Sequence, residues 1–425
     1  MTNATAVNSA VPHNAYVIFC LAASFYLYEF ILQVAPSVMA APMMSTFHVT
    51  AEGFGIIAAF YFYAYAPMQI PSGVLFDRYG PRKLMTGAIV LCALGSIFFA
   101  LTDSVITACI GRLLIGFGSA FSFIGVLVLT ARWFPPYHFA LLAGIAQLMS
   151  SVGAIFGGAP LAALVDRVGW RQASFILGGI GFVLAAVLWS VVRDFPHQAT
   201  QSRPSNRFRD EWKRLAEVCR HSYTWIIAAY SCCVWTPIAV FAVLWGVPYL
   251  QEKYQVSVIV ASGLCSIIWI GIGVGSPLLG WVSDKFASRR LALTISAVFG
   301  LVATVFVLYV PNVSLSYMYV VLFCFGLGAG GQTVSFAVVR DNNPAHLVGT
   351  ASGFNNFAVL VGGAVFQPLV GILLHHSHAV RLVNNVPVYS VSGYQLGLSV
   401  LPCCYALSFI LAYWMSRESH PYSRG

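Results

Sequence analysis

The sequence predicts an all-α membrane protein of twelve spanning helices, arranged as two pseudo-symmetric six-helix bundles. Three observations predict it. The 425 residues are 59% hydrophobic and 8% charged, where soluble domains run at roughly 25% charged. Apolar stretches long enough for a helix to cross a bilayer recur along the chain, whereas a β-barrel would show short alternating segments. One polar loop sequence also occurs twice, at equivalent places in two halves of the chain.

The first six spans are read at about 14–39, 52–75, 84–101, 105–131, 139–163 and 172–193. The second six are read at about 222–250, 257–280, 291–310, 316–339, 348–375 and 393–415. The first apolar run lacks a basic leader and is too long for a signal core, so it is taken as a span. The bundles are expected at 1–193 and 222–425, joined by a cytoplasmic linker at 194–221. In that linker Phe208, Trp212, Leu215 and Cys219 fall near helical spacing opposite charged residues, the pattern of a short amphipathic helix on the inner membrane face.

Charge fixes the orientation. With the N-terminus inside, the inner loops and C-terminus hold seventeen Lys and Arg, seven of them in the linker, and the outer loops hold four. Both termini are therefore expected in the cytoplasm, in the plasma membrane (the inner membrane of a bacterium). The net charge of +9 belongs to these loops and gives no reason to expect nucleic acid as a partner. Nine of the ten cysteines lie in spans at spacings that suit packing rather than metal or disulfides. "HHSH" at 375–378 reads as an interfacial loop, so no metal and no cofactor are expected.

Subtraction isolates two ions. Twelve of thirteen acids fall in loops or at span ends, leaving Glu29; of 22 basic residues only Arg112 lies inside a span. Glu29 lies roughly 22 Å from the inner start of the first span, and Arg112 roughly 10 Å from the outer start of the fourth. In a bilayer core of roughly 30 Å these depths match, so a Glu29–Arg112 ion pair is expected. If Arg112 turned to a substrate anion, Glu29 would be left charged in low dielectric and would take a proton, coupling binding to protonation. A static pair between the two spans is the competing reading.

The repeated loop is "GVLFDRYGPRK" at 73–83 and "GWVSDKFASRR" at 280–290, an ungapped offset of 207. Gly73, Asp77, Arg78, Arg82 and Lys83 match Gly280, Asp284, Lys285, Arg289 and Arg290, while Ala287 stands where the first copy has Gly80. Two such loops in two halves of six spans indicate internal duplication, a transporter signature.

On these residues the chain resembles the major facilitator superfamily along its whole length. "GRLLIGFGSA" adds Arg112, Gly116 and Gly118 in that family's spacing, and "VGWRQASF" before the sixth span is also common there. The resemblance implies two bundles rocking around a central cavity lined by spans 1, 4, 7 and 10, with the paired loops as conformational latches. It implies a secondary transporter and no enzyme. Gly144, Gly153 and Gly157 match the spacing of an antiporter motif, but Gly158 stands where its proline is expected.

Polar positions inside spans are the candidate substrate ligands: Tyr26, Gln33, Tyr61, Tyr65, Gln69, Gln147, Trp235, Thr236, Gln332, Asn355 and Asn356. Thr236 lies 207 residues after Glu29, at the symmetry-equivalent place. The expectation is a monomer that moves a small organic solute by alternating access with protons, symport favoured. The alternatives are a proton-driven exporter of the same fold, or an uncoupled facilitator or sensor. No phosphate-binding loop for a primary pump is present.

Overall fold

The computed structural model describes residues 12–135, 138–195, 208–344, 346–377, 380–383 and 386–415. Arg203, Arg207, Arg417 and Arg424 of the charge tally, and His378, lie outside the described residues.

Eleven described helices are long and apolar enough to cross a membrane. In the first half they are His13–Val38, Pro81–Leu101, Val105–Trp133, Leu141–Val168 and Trp170–Val191. In the second they are Ser222–Tyr254, Val258–Lys285, Arg289–Tyr309, Leu315–Asp341, Val348–His375 and Val391–Trp414. The remaining crossing is the second span, Ala51–Met68, whose three tyrosines and Glu52 dilute its hydropathy; it passes together with the short helix Ala40–Phe47, bent from it by 108°. The twelve form two pseudo-symmetric bundles of six.

Proline chemistry shapes two of these spans. The second breaks at Gln69–Pro71 and resumes as Ser72–Tyr79, since Pro71 cannot donate within a helix and its ring crowds the preceding turn. Directly after Pro237, the seventh runs as a π-helix over Ile238–Trp245 before resuming at Gly246. Here the Ala239 carbonyl accepts from Gln367 Nε2 of the eleventh span at 2.7 Å, and the Trp245 indole donates to the Gln367 carbonyl at 3.1 Å.

Close helix approach relies on glycine in the same way in both bundles. A Cβ at Gly116 would lie 2.7 Å from the Tyr61 carbonyl carbon, and one at Gly326 would lie 2.9 Å from that of Ile268. Tyr61 and Ile268 are 207 residues apart, and "GFGSA" at 116–120 has its counterpart in "GLGAG" at 326–330. The fourth span packs on the second as the tenth packs on the eighth.

The bundles meet along the second and eleventh spans, with Gly55 close to Gln367 and Pro368, and Gly371 close to Ala51 and Glu52. On the face away from the repeated loops, Val380–Val383 and Val386–Tyr389 form an antiparallel hairpin that the sequence reading took as loop. Its Tyr389 hydroxyl accepts the Ala51 N–H at 2.9 Å, so an element of the second half caps a helix of the first.

The amphipathic segment is a helix, Phe208–Arg220, but it docks on protein more than the sequence suggested. Glu211 accepts from Thr350 Oγ1 of the eleventh span at 3.1 Å, and Val218 is fully buried while Trp212 faces outward.

Candidate functional site

Glu29 and Arg112 are the buried ionic side chains among the described residues, at 0% and 2% exposure. They do not pair directly, which corrects the sequence expectation: no carboxylate oxygen of Glu29 lies within salt-bridge distance of Arg112. Tyr61 stands between them. Its hydroxyl donates to Glu29 Oε1, and the Arg112 guanidinium lies over its ring, 4.9 Å from the centroid. Arg112 also donates to the Leu32 carbonyl at 2.9 Å. The contact forms because Gly116 lets the fourth span reach the Tyr61 backbone.

The cluster is incompletely satisfied. Glu29 Oε2 and Arg112 Nε are buried without a partner. Each unmade bond to a charged group costs about 1–3 kcal/mol or more, an expense that persists where ions serve a function.

Beside the cluster lies a cavity of about 1180 Å³ between the bundles. Tyr65 lines it and packs edge-on to Tyr61 with centroids 5.4 Å apart, so these two rings separate the ions from the cavity. Tyr26, Gln33, Gln69, Gln147, Trp235, Gln332 and Asn356, put forward above as candidate ligands, also line it. Tyr26 reaches Gln147 Oε1 at 3.5 Å, and Asn356 Nδ2 donates to Gln69 Oε1 at 2.7 Å across the two bundles. Gln33 Oε1 and Gln69 Nε2 are buried and unpartnered. The polar groups of this otherwise largely aliphatic wall are thus mainly carboxamides and aromatic hydroxyls, with an unused acceptor and an unused donor.

Three predicted ligands are placed elsewhere. Tyr61 is behind Tyr65. Thr236 turns back to the Cys232 carbonyl at 2.7 Å, against Gly362. Asn355 is tied to Ser231 at 2.8 Å and Ser335 at 3.2 Å inside the second bundle. Sequence reasoning missed Phe30, Phe123, Ser276, His346 and Thr350 on the cavity wall. Ser276 was findable, since it lies 207 residues after Gln69.

The cavity opens toward the repeated loops, where Gly73, Asp77, Gly280, Glu211 and Arg214 border it. Asp77 lies 3.8 Å from Arg132 at the end of the fourth span. Burial pushes the Asp77 carboxyl above the ordinary range; Arg132 pulls it down and Glu211 adds to the rise. In the second copy Arg289 bridges Asp284 at 2.6 Å and Asp341 at 3.0 Å. Arg82 stacks on Trp189 at 4.2 Å and Arg290 on Tyr413 at 4.7 Å, so each loop anchors a cation on an aromatic of its bundle's last helix. Arg78 and Lys285 stack on their neighbours Tyr79 and Trp281. Lys83 follows Arg82 in the first turn of the third span. Gly80 and Ala287 both carry positive φ, +78° and +44°, so the chain turns at the same place despite the substitution. In the fifth span Gly153 and Gly157 pack against Leu27 and Ile31 of the first span, whereas Gly144 lies on the cavity wall.

Two bundles around a cavity, with one copy of the duplicated loop in each, are the architecture of a multi-pass membrane transporter. The chain belongs to the Major Facilitator Superfamily, whose profile matches residues 17–367. It is 21% identical over 376 residues to the probable galactarate/D-glucarate transporter GudP of Escherichia coli K12, covering 80% of this chain and 82% of that one. It is 24% identical over 374 residues to the hexuronate transporter of Bacillus subtilis 168, covering 84% and 88%. Its fold matches a bacterial homologue of the human lysosomal transporter Spinster, in an inward-facing and unoccupied conformation, with TM-score 0.78 at 16% identity over 96% of this chain and 99% of that one.

Proposed function

We propose that the protein is a proton-coupled secondary transporter that imports a small polar organic solute by alternating access, with both termini cytoplasmic. The carrying observation is Glu29: a fully buried carboxylate with one oxygen unpartnered, set behind Tyr61 and Tyr65 from a solute-sized cavity. Such a group is charged at high cost unless compensated, so it is suited to bind and release a proton as the cavity changes access. The excess of Lys and Arg in the loops on the cavity's open side supports a cytoplasmic opening. Polyhydroxylated solutes suit the amides of the wall, and the names of the two relatives point to sugar acids.

The reading is tested in proteoliposomes by counterflow with a panel of sugar acids, with and without an imposed pH gradient. Accumulation that follows an inward proton gradient and is lost with a protonophore supports it. Equal uptake in both conditions would leave facilitated diffusion.

A further inference from the structure

We infer that the solute is a monovalent organic anion that moves with one proton, so that a complete transport cycle carries no net charge. This rests on the proton-coupled reading above and makes it more specific. The argument is a charge count in a place where net charge is expensive.

With Glu29 ionised, the cluster of Glu29, Tyr61 and Arg112 is neutral; with Glu29 protonated it carries +1. The titratable groups around Glu29 are Tyr26 on its own helix, Tyr61 and Tyr65 from the second span and Cys92 from the third, with Arg112 of the fourth on the Tyr61 ring. Only Arg112 among them is a cation. Charged and titratable residues on the cavity wall stand at its mouth: Asp77 is matched with Arg132 and Glu211 with Arg214, and His346 is exposed in the loop after the tenth span. Among the described residues, no second cation lines the deeper cavity.

The unused polar atoms complete the site. Gln69 Nε2 offers a donor and Gln33 Oε1 an acceptor, both on side chains 4% exposed. They suit the hydroxyls of a solute whose carboxylate lies toward Tyr65. Such an anion faces the cluster's positive charge through two rings, in a low dielectric where charges interact strongly. One negative charge cancels it. A dianion leaves −1 in the occluded state, and a neutral solute leaves +1. The proton bonds to a Glu29 carboxylate oxygen as the anion enters and returns to water as it leaves, and no other bond changes.

The test uses probes matched in skeleton and differing in charge: glucitol, gluconate and glucarate, with the corresponding series on two and three carbons. Uptake into proteoliposomes is followed with a pH dye, once with the membrane potential clamped at zero by potassium and valinomycin and once with it inside-negative. The expected result is pH-driven uptake of a monoanion with one proton per solute, unchanged by potential, and at least ~10-fold slower uptake of its neutral and dianionic counterparts. Preference for a dianion or a neutral probe, movement of no monoanion, or a rate that follows the potential overturns the inference. Proton-driven uptake that also carries charge overturns it while leaving the proton-coupled reading intact. Monoanion uptake indifferent to the pH gradient overturns both.

Discussion

Gln69 of the second span and Asn356 of the eleventh share a hydrogen bond of 2.7 Å that joins the two bundles at the cavity wall. The bond crosses the boundary between the bundles, so under the alternating access proposed above it would be made in this state and remade or lost in the other. Replacing either residue by Leu strands the other's polar group, a loss of about 1–3 kcal/mol. We expect the single changes Gln69→Leu and Asn356→Leu each to raise the KM for counterflow about tenfold, and the double change to cost little more than either. Additive effects would mean the two amides act independently.

Glu29→Gln should abolish accumulation driven by a pH gradient while sparing solute exchange, because a permanently neutral side chain mimics the protonated form. If Glu29 is only structural, the substitution should lower the melting temperature instead, and Glu29→Gln with Arg112→Gln should restore stability and transport together. Full pH-driven accumulation by well-folded Glu29→Gln protein would rule out the coupling role.

Tyr61→Phe keeps the ring under Arg112 but removes the hydroxyl that reaches Glu29. Hydrogen bonds to charged groups contribute about 1.5–3 kcal/mol, so the variant should melt earlier. The pH profile of transport should also shift. A profile and melting temperature equal to wild type would show that the phenol is not the link between the two ions.

Tyr389→Phe removes the cap on Ala51 and with it a bond across the closed side of the cavity. A net loss of about 1 kcal/mol should raise the outward-open population about fivefold. Spin labels on the second and eleventh spans at that face would report it by distance distributions. An unchanged distribution would mean the hairpin does not hold that side shut.

Ala287→Gly should stabilise the second loop by about 0.5 kcal/mol, since a Cβ in the left-handed region costs roughly 1–2 kcal/mol and glycine's greater unfolded-state freedom returns part of it. The reverse change, Gly80→Ala, should be harmful, because its Cβ would lie 2.8 Å from the Asp194 carboxyl carbon. Melting temperatures of the two variants should move in opposite directions.

The architecture was legible in the sequence because a bilayer forces span length, and duplication repeats the loop at a fixed offset. Glu29 and Arg112 were legible because charge inside an apolar run has few explanations. Their geometry was not. Tyr61 sits in an aromatic run, where a phenol that bridges two ions looks like one that packs. Asn355 and Asn356 are adjacent, yet about 100° of helix rotation sends one into the second bundle's interior and the other into the cavity. Sequence fixes spacing along a helix, while the neighbouring helices fix its rotation about its axis. Thr236 stands at the place equivalent to Glu29, yet its hydroxyl is spent on the Cys232 carbonyl one turn back, and the π-helix that follows it has no counterpart in the first span.

Among the described non-glycine residues, His48, Gln255, Ala287 and Asn312 have positive φ. His48 and Gln255 are 207 residues apart, the same interval that separates Gly80 from Ala287. Each pair has diverged in chemistry, imidazole against carboxamide and hydrogen against methyl, yet the chain bends with the same handedness at both places. The duplication is therefore visible in the backbone torsions of the chain as well as in its repeated loop, and a substitution that restores glycine at one of these turns acts on a bend both halves share.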